Sequence, residues 1–431
     1  MKGKKKTNFL PVVLALVLLI TVNVGVFAGG EKDTAAGEEE SIFTADPKII
    51  GIVEPRSGVY AEIGEYGIKG VELALEEYNA MGGVLGSELK YIAEDTQSKA
   101  NIGSQKARKL ITENDAVMLV GEVSSSCAAA MGAVAQELGV IYMASGPNSN
   151  IITSSNAQRV MFRTDLSNWQ SNRAMANYLI ETEGKRWYFL TSDYTWGHTA
   201  YEVASQILEE KGGTEIANDL VPFGTNDYSS YLIKIQEAKP DVLYVAVGGT
   251  DLINFFKQFV GFGLKGKMQV SGAIFNDSDA WTLGPGIVSG VWPKVWAYNV
   301  DTPESKAFTE RFMERYGVPP ENESWQDYIS TVAYLEAVKR AGTWDFEQVI
   351  KELEGYEFDG MKGRDIYYRE RDHQLIQQVY IVEAQDEWPN DWDWCKIIAE
   401  VPAPSEELES IASTTADNPL NLQEQQPLSF E

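Results

Sequence analysis

The chain has little of what usually carries chemistry. Its 431 residues include two cysteines and two histidines. Cys127 and Cys395 stand far apart, and the absence of any CxxC removes a zinc knuckle and a redox pair; the two are expected to stay unpaired. His198 and His373 are each isolated, which leaves a histidine-rich metal site or a histidine-based hydrolase without its parts. No GxxxxGK[ST] and no GxSxG elbow occurs. Basic residues are scarce, 36 against 63 acidic, for a net charge of −27. Such a surface repels nucleic acid and anionic lipid, so neither is an expected partner. No cofactor or metal is expected, and no enzyme activity, because an activated nucleophile is missing.

Long apolar runs are also missing, with one exception. Lys2, Lys4, Lys5 and Lys6 precede an apolar stretch from Phe9 to Val22, and Val26-Phe27-Ala28 offers a cleavage site before Gly29. Residues 1–28 read as a secretory signal peptide, with an uncleaved anchor as the alternative. An acidic, Gly/Ala-rich leader is expected over 29–46, and a disordered tail over 399–431. That tail has seven acids, no Lys or Arg, and four prolines.

Between them the pattern is regular. Short β-branched runs such as Lys48–Val53 and Val117–Val120 alternate with amphipathic stretches. In Tyr66–Ala80, Ile68, Val71, Leu75 and Tyr78 share one helical face, and Gly82-Gly83 ends it. The series restarts after Arg163. Two α/β series of similar length predict two Rossmann-like lobes with parallel sheets rather than one large sheet. Gly261–Gly266 matches GxGxxG, but it ends a predicted helix and precedes a strand. A dinucleotide loop needs the reverse.

The informative segments follow strands. Glu54–Tyr60 holds Ser57 and Tyr60. Gly121–Ser126 holds Ser124, Ser125 and Ser126. Ala144–Asn148 holds Ser145 and Gly146. Ser192–Gly197 holds Tyr194 and Trp196. Hydroxyls and free amides at the carboxyl ends of parallel strands suit a carboxylate or carbonyl, whereas each alone also serves as a helix cap.

In this order the segments resemble the branched-chain amino-acid type of periplasmic binding protein, the type I solute receptors. The matching stretches are Ser57-Gly58 with Gly64 and Gly67; Asn79-Ala80-Met81-Gly82-Gly83-Val84-Leu85-Gly86; Glu94-Asp95-Thr96; Gly121 with Ser124-Ser125-Ser126; Asp193–Gly197; and Phe358–Gly363 followed by Asp372-His373-Gln374. The resemblance implies two lobes joined by three crossings, near Arg163, Trp296 and Glu357. Lobe 1 would span 47–163 and 297–357, and lobe 2 would span 164–296 and 358–398. It further implies a small ligand held between closing lobes, delivery to an ABC permease, an extracytoplasmic location and a monomer. Carried over, the carboxylate site falls on Ser125, Ser145 and Gly146. Ser57, Tyr60, Ser124 and Ser126 lie beside it, and Trp169, Tyr194 and Trp196 form the opposing wall. Pro147 lacks the N–H expected there. Gly249-Thr250 stands where a Tyr is usual, and Asp277 is displaced from the usual amine-binding Glu. A branched-chain or aliphatic amino acid is therefore the leading expected ligand. An amine-free carboxylate, an amide or urea-type ligand, or a sensory role with a membrane partner are the alternatives.

Overall fold

A computed structural model describes residues 42–403. The signal segment, most of the leader and most of the tail lie outside the described residues.

In lobe 1, β1 (Ala45–Glu54), α1 (Ala61–Ala80), β2 (Ser87–Asp95), α2 (Ala100–Asn114), β3 (Ala116–Gly121), α3 (Ser125–Leu138), β4 (Ile141–Ala144) and β5 (Met161–Arg163) follow in turn. Their strands form one parallel sheet, ordered β2-β1-β3-β4-β5. Helices cover both faces, so the central strands are apolar throughout; Ile50, Ile52 and Val53 of β1 are fully buried. The predicted face of α1 is confirmed, with Ile68, Val71, Leu75 and Tyr78 all buried.

Lobe 2 repeats the plan. It contains α4 (Asn168–Thr182), β6 (Arg186–Ser192), α5 (Thr195–Glu210), β7 (Thr214–Val221), α6 (Ser229–Ala238), β8 (Val242–Ala246), α7 (Thr250–Gly261), β9 (Gln269–Gly272), α8 (Asp277–Leu283) and β10 (Val291–Lys294). The parallel order is β7-β6-β8-β9. The chain then returns to lobe 1 with α9 (Pro303–Tyr316), α10 (Asn322–Ala341) and α11 (Phe346–Leu353). Buried residues occupy every face of α10, its first turn included. The last strands are β11 (Phe358–Asp359), β12 (Asp365–Tyr368), β13 (Leu375–Ile376), β14 (Val379–Ala384) and β15 (Cys395–Val401). Antiparallel β10-β14-β15 completes lobe 2, and β11-β12-β13 forms a small separate sheet.

Three boundaries differ from expectation. Ala45 and Asp46 belong to β1, not to the leader, and residues 399–401 belong to β15, not to the tail. Both segments are largely exposed, but pairing with β2 and β14 satisfies their backbone. Residues 358–376 pack on lobe 1, not lobe 2. Tyr368 sits edge-on to Phe162, bridges to Glu354, and shares a hydroxyl network with Thr164 and Ser330. The third crossing is therefore at Gln377-Gln378 instead of near Glu357.

A buried lysine ties the crossings together. Lys362 Nζ donates to the carbonyls of Val295 (2.6 Å) and Gln378 (2.7 Å), and Gln377 Nε2 donates to Thr164 O at 2.6 Å. Burial pushes this ammonium well below its ordinary pKa. His373 is structural. Its ring stacks on Phe162 and meets Glu354 and the Met161 carbonyl. Cys127 and Cys395 are both free and buried. Among the described residues, no helix is long and apolar enough to cross a membrane.

Candidate ligand-binding site

In both parallel sheets the strand order reverses beside the first strand, at β1/β3 and at β6/β8. Such switch points open crevices at the carboxyl ends of strands. Here the two crevices face each other across a small shared cavity. Lobe 1 supplies Tyr60, Val123, Gly146, Asn148 and Glu323; the first crossing supplies Asp165; lobe 2 supplies Tyr194, Trp196, Gly248, Ile274 and Asn276.

The lobes are closed on each other. The Tyr60 and Tyr194 hydroxyls meet at 2.5 Å, and Thr250 N donates to Val59 O at 3.0 Å. Asn322 Nδ2 donates to Asn276 Oδ1 at 3.1 Å, and Thr282 Oγ1 reaches Glu62 Oε2 at 3.1 Å. Gly249 permits the approach: its φ is +60°, and a Cβ there would overlap the Val59 carbonyl.

The wall of lobe 1 is acidic and buried. Glu54 ends β1, Glu122 follows β3, and Glu323 and Asp327 lie in the first two turns of α10. Each is at most 2% exposed. Oxygens of Glu54, Glu323 and Asp327 lie within 4.8 Å of one another. Burial, reinforced by neighbouring carboxylates, raises Glu54 and Glu323 well above the ordinary carboxylate range. Burial lifts Asp327 and Glu122 to about 7 and Asp165 to about 6. Asp327 has the Ser145 hydroxyl and the Glu54 carboxyl as polar neighbours, with no well-formed bond to either. Glu323 Oε1 and Trp196 Nε1 are likewise buried without a hydrogen-bond partner.

Glu122 closes the N-terminus of α3 from inside. Its φ of +84° is rare for a side-chain-bearing residue. Its amide donates to Glu54 Oε1 at 2.7 Å, and its own Oε1 accepts from Ser124 N at 2.7 Å. A carboxylate of the protein thus takes up a donor at the helix end where the expected ligand carboxylate would sit.

The expected residues divide accordingly. Tyr60, Gly146, Tyr194 and Trp196 line the cavity. Ser145 lies directly behind it, beside Asp327. Ser125 Oγ is engaged by Ser149 N at 3.1 Å, while the Ser124 and Ser126 hydroxyls face each other at 3.3 Å. Gly249 heads α7 next to the lining residue Gly248. Four residues lie elsewhere. Ser57 is exposed and donates to Asp95 Oδ2 at 2.7 Å. Thr250 is exposed, and only its amide reaches lobe 1. Trp169 lies under the Arg173 guanidinium at 4.3 Å. Asp277, the expected amine partner, is already neutralised: Lys294 Nζ is at 2.7 Å and Trp394 Nε1 donates to it at 2.6 Å.

Asp165 and Glu323 are the acidic lining residues that sequence reasoning missed. Asp165 follows the first crossing, with its oxygens held by Leu166 N and Asn148 Nδ2. The available signal for Glu323 was the spacing of Glu321, Glu323 and Asp327 along one short stretch.

Comparisons with known proteins agree with this fold. The chain is similar to an amino acid binding protein of Pseudomonas aeruginosa, with 24% identity over 79% of this chain and 90% of that one. A periplasmic binding protein of Burkholderia mallei superposes with a TM-score of 0.79 at 26% identity, covering 87% of this chain and 98% of the other. A solute binding protein of an ABC transporter from Rhodopseudomonas palustris, in complex with 3,4-dihydroxybenzoic acid, shares the fold at 22% identity. Its TM-score is 0.76, covering 83% of this chain and 98% of that one. The family model described as "Periplasmic binding protein" matches residues 49–388, and with two lobes closed over a shared cavity, the chain belongs to the periplasmic binding protein family of small-ligand receptors, which are not enzymes.

Proposed function

We propose that the protein is the extracytoplasmic receptor of an ABC importer, which captures one small ligand in the cavity between the lobes and presents its closed form to the permease. The observation that carries this is a cavity whose wall comes from both lobes and whose rim is closed by bonds between them, Tyr60–Tyr194 and Val59–Thr250. A ligand touching both lobes favours the closed state through its differential contacts. Amino acids keep one feature that suits the acidic wall, their ammonium group. An amine-free carboxylate lacks that group, and among the described residues no Lys, Arg or His lines the cavity to meet its charge.

A thermal-shift screen of the purified protein against amino acids, amines, carboxylates, amides and sugars tests the reading. A ligand at 100 times its Kd adds about 2.7 kcal/mol of stability. A shift that Trp196→Ala abolishes is the expected result. A ligand whose binding is indifferent to Tyr60, Tyr194 and Trp196 would place the site elsewhere.

A further inference from the structure

We infer that the ligand is a small organic cation — a protonated amine, quaternary ammonium or guanidinium — seated between the Tyr60–Tyr194–Trp196 wall and the carboxyl groups of Asp165 and Glu323. This rests on the reading that the cavity is the binding site.

Three independent observations point the same way. First, the cavity sets aromatic rings against carboxyl groups. A cation gains from both, through the ring quadrupole and through charge-assisted hydrogen bonds. Second, the acids other than Asp165, whose oxygens accept from Leu166 N and Asn148 Nδ2, keep oxygens without a bond. Glu323 Oε1 is buried without a partner, and so are Glu54 Oε2 and both Asp327 oxygens behind it. The absence of a side chain at Gly146, a lining position, lets the Glu323 carboxyl reach the wall, since a Cβ there would overlap it.

Third, the charges that would welcome an anion are committed elsewhere. Lys294 is held by Asp277 at 2.7 Å. The Arg163 guanidinium donates to Gln374 Oε1, Ser149 O and Thr153 Oγ1 at 2.5–2.7 Å. Glu122 caps α3. An anion would oppose the ionisation of these carboxyl groups in a low-dielectric site and gain no attraction from them as charges. A cation lets them ionise and turns the repulsion into attraction.

Isothermal titration of the full mature protein tests this with named probes: choline, putrescine and agmatine as cations, leucine as a zwitterion, benzoate as an anion, and Ca2+ and Mn2+ as metals. The expected result is binding by at least one organic cation in preference to leucine and benzoate. Glu323→Gln and Asp165→Asn should each weaken it about tenfold to a hundredfold, with circular dichroism unchanged. If Glu323→Gln does not fold, Asp165→Asn and Trp196→Leu read the same site. Binding only by leucine, benzoate or an uncharged solute overturns the cation and leaves the receptor reading standing. A metal ion that binds alone and is lost in Glu323→Gln overturns the organic cation in favour of a metal site. Binding by no class of solute overturns both.

Discussion

Asp327→Asn should make the ligand-free protein more stable, and increasingly so as pH rises. Burial lifts the Asp327 carboxyl from 3.8 to about 7. Between those values the native state holds a proton that the unfolded chain has released, so its contribution is full below about pH 4 and is lost as pH rises through 7. About three units at about 1.4 kcal/mol each gives a loss of about 4 kcal/mol. Asparagine keeps the shape and cannot ionise. The difference between variant and parent should therefore grow by up to about 4 kcal/mol from about pH 4 to about pH 8. Glu54, Glu323 and Glu122 face Asp327's neighbourhood from β1, α10 and the loop after β3, and removing one charge eases the ionisation of the others in the same direction. The buried bases Lys294 and Arg163 are bonded elsewhere. Urea unfolding followed by tryptophan fluorescence at several pH values measures the difference. A difference that stays constant with pH would refute the picture of a repelling, protonated cluster.

Three further outcomes follow from the same geometry. Organic-cation affinity should rise about tenfold or more from about pH 5 to about pH 8 with proton release, because Asp165, Asp327 and Glu122 must ionise to attract it; titration in buffers of different ionisation enthalpy reads the protons. Asp277→Ala should destabilise the fold by about 3–5 kcal/mol by stranding the buried Lys294, while folded protein keeps its affinity. Lost affinity at full stability would return Asp277 to the site. Gly249→Ala should cost about 1–3 kcal/mol of stability, because a side chain is strained at a φ of +60°, and should weaken ligand binding by about tenfold in the protein that stays folded, since the new Cβ meets Val59 O when the lobes close; equal affinity would mean closure does not need that contact.

The sequence by itself determined the alternation of strand and helix, the face of α1, the division into two α/β series, and the loops that meet at the cleft. These are local properties: a period of two or 3.6 residues and a turn signal are visible within one short window. The segment that carries Tyr194 and Trp196 was legible for the same reason, while their place as a wall of the cleft was implied by the family resemblance. Only the tertiary structure decided the electrostatics. Glu54, Glu122, Asp165 and the α10 pair Glu323 and Asp327 come from four separate segments and meet because α10 is buried against the strand ends of lobe 1. The tertiary structure also pairs Ser57 with Asp95 and Asp277 with Lys294. Whether a carboxyl group is a solvated surface charge or a protonated, unspent partner depends on how much water surrounds it and which charges face it. Both are properties of contacts distant in sequence, which no local pattern records.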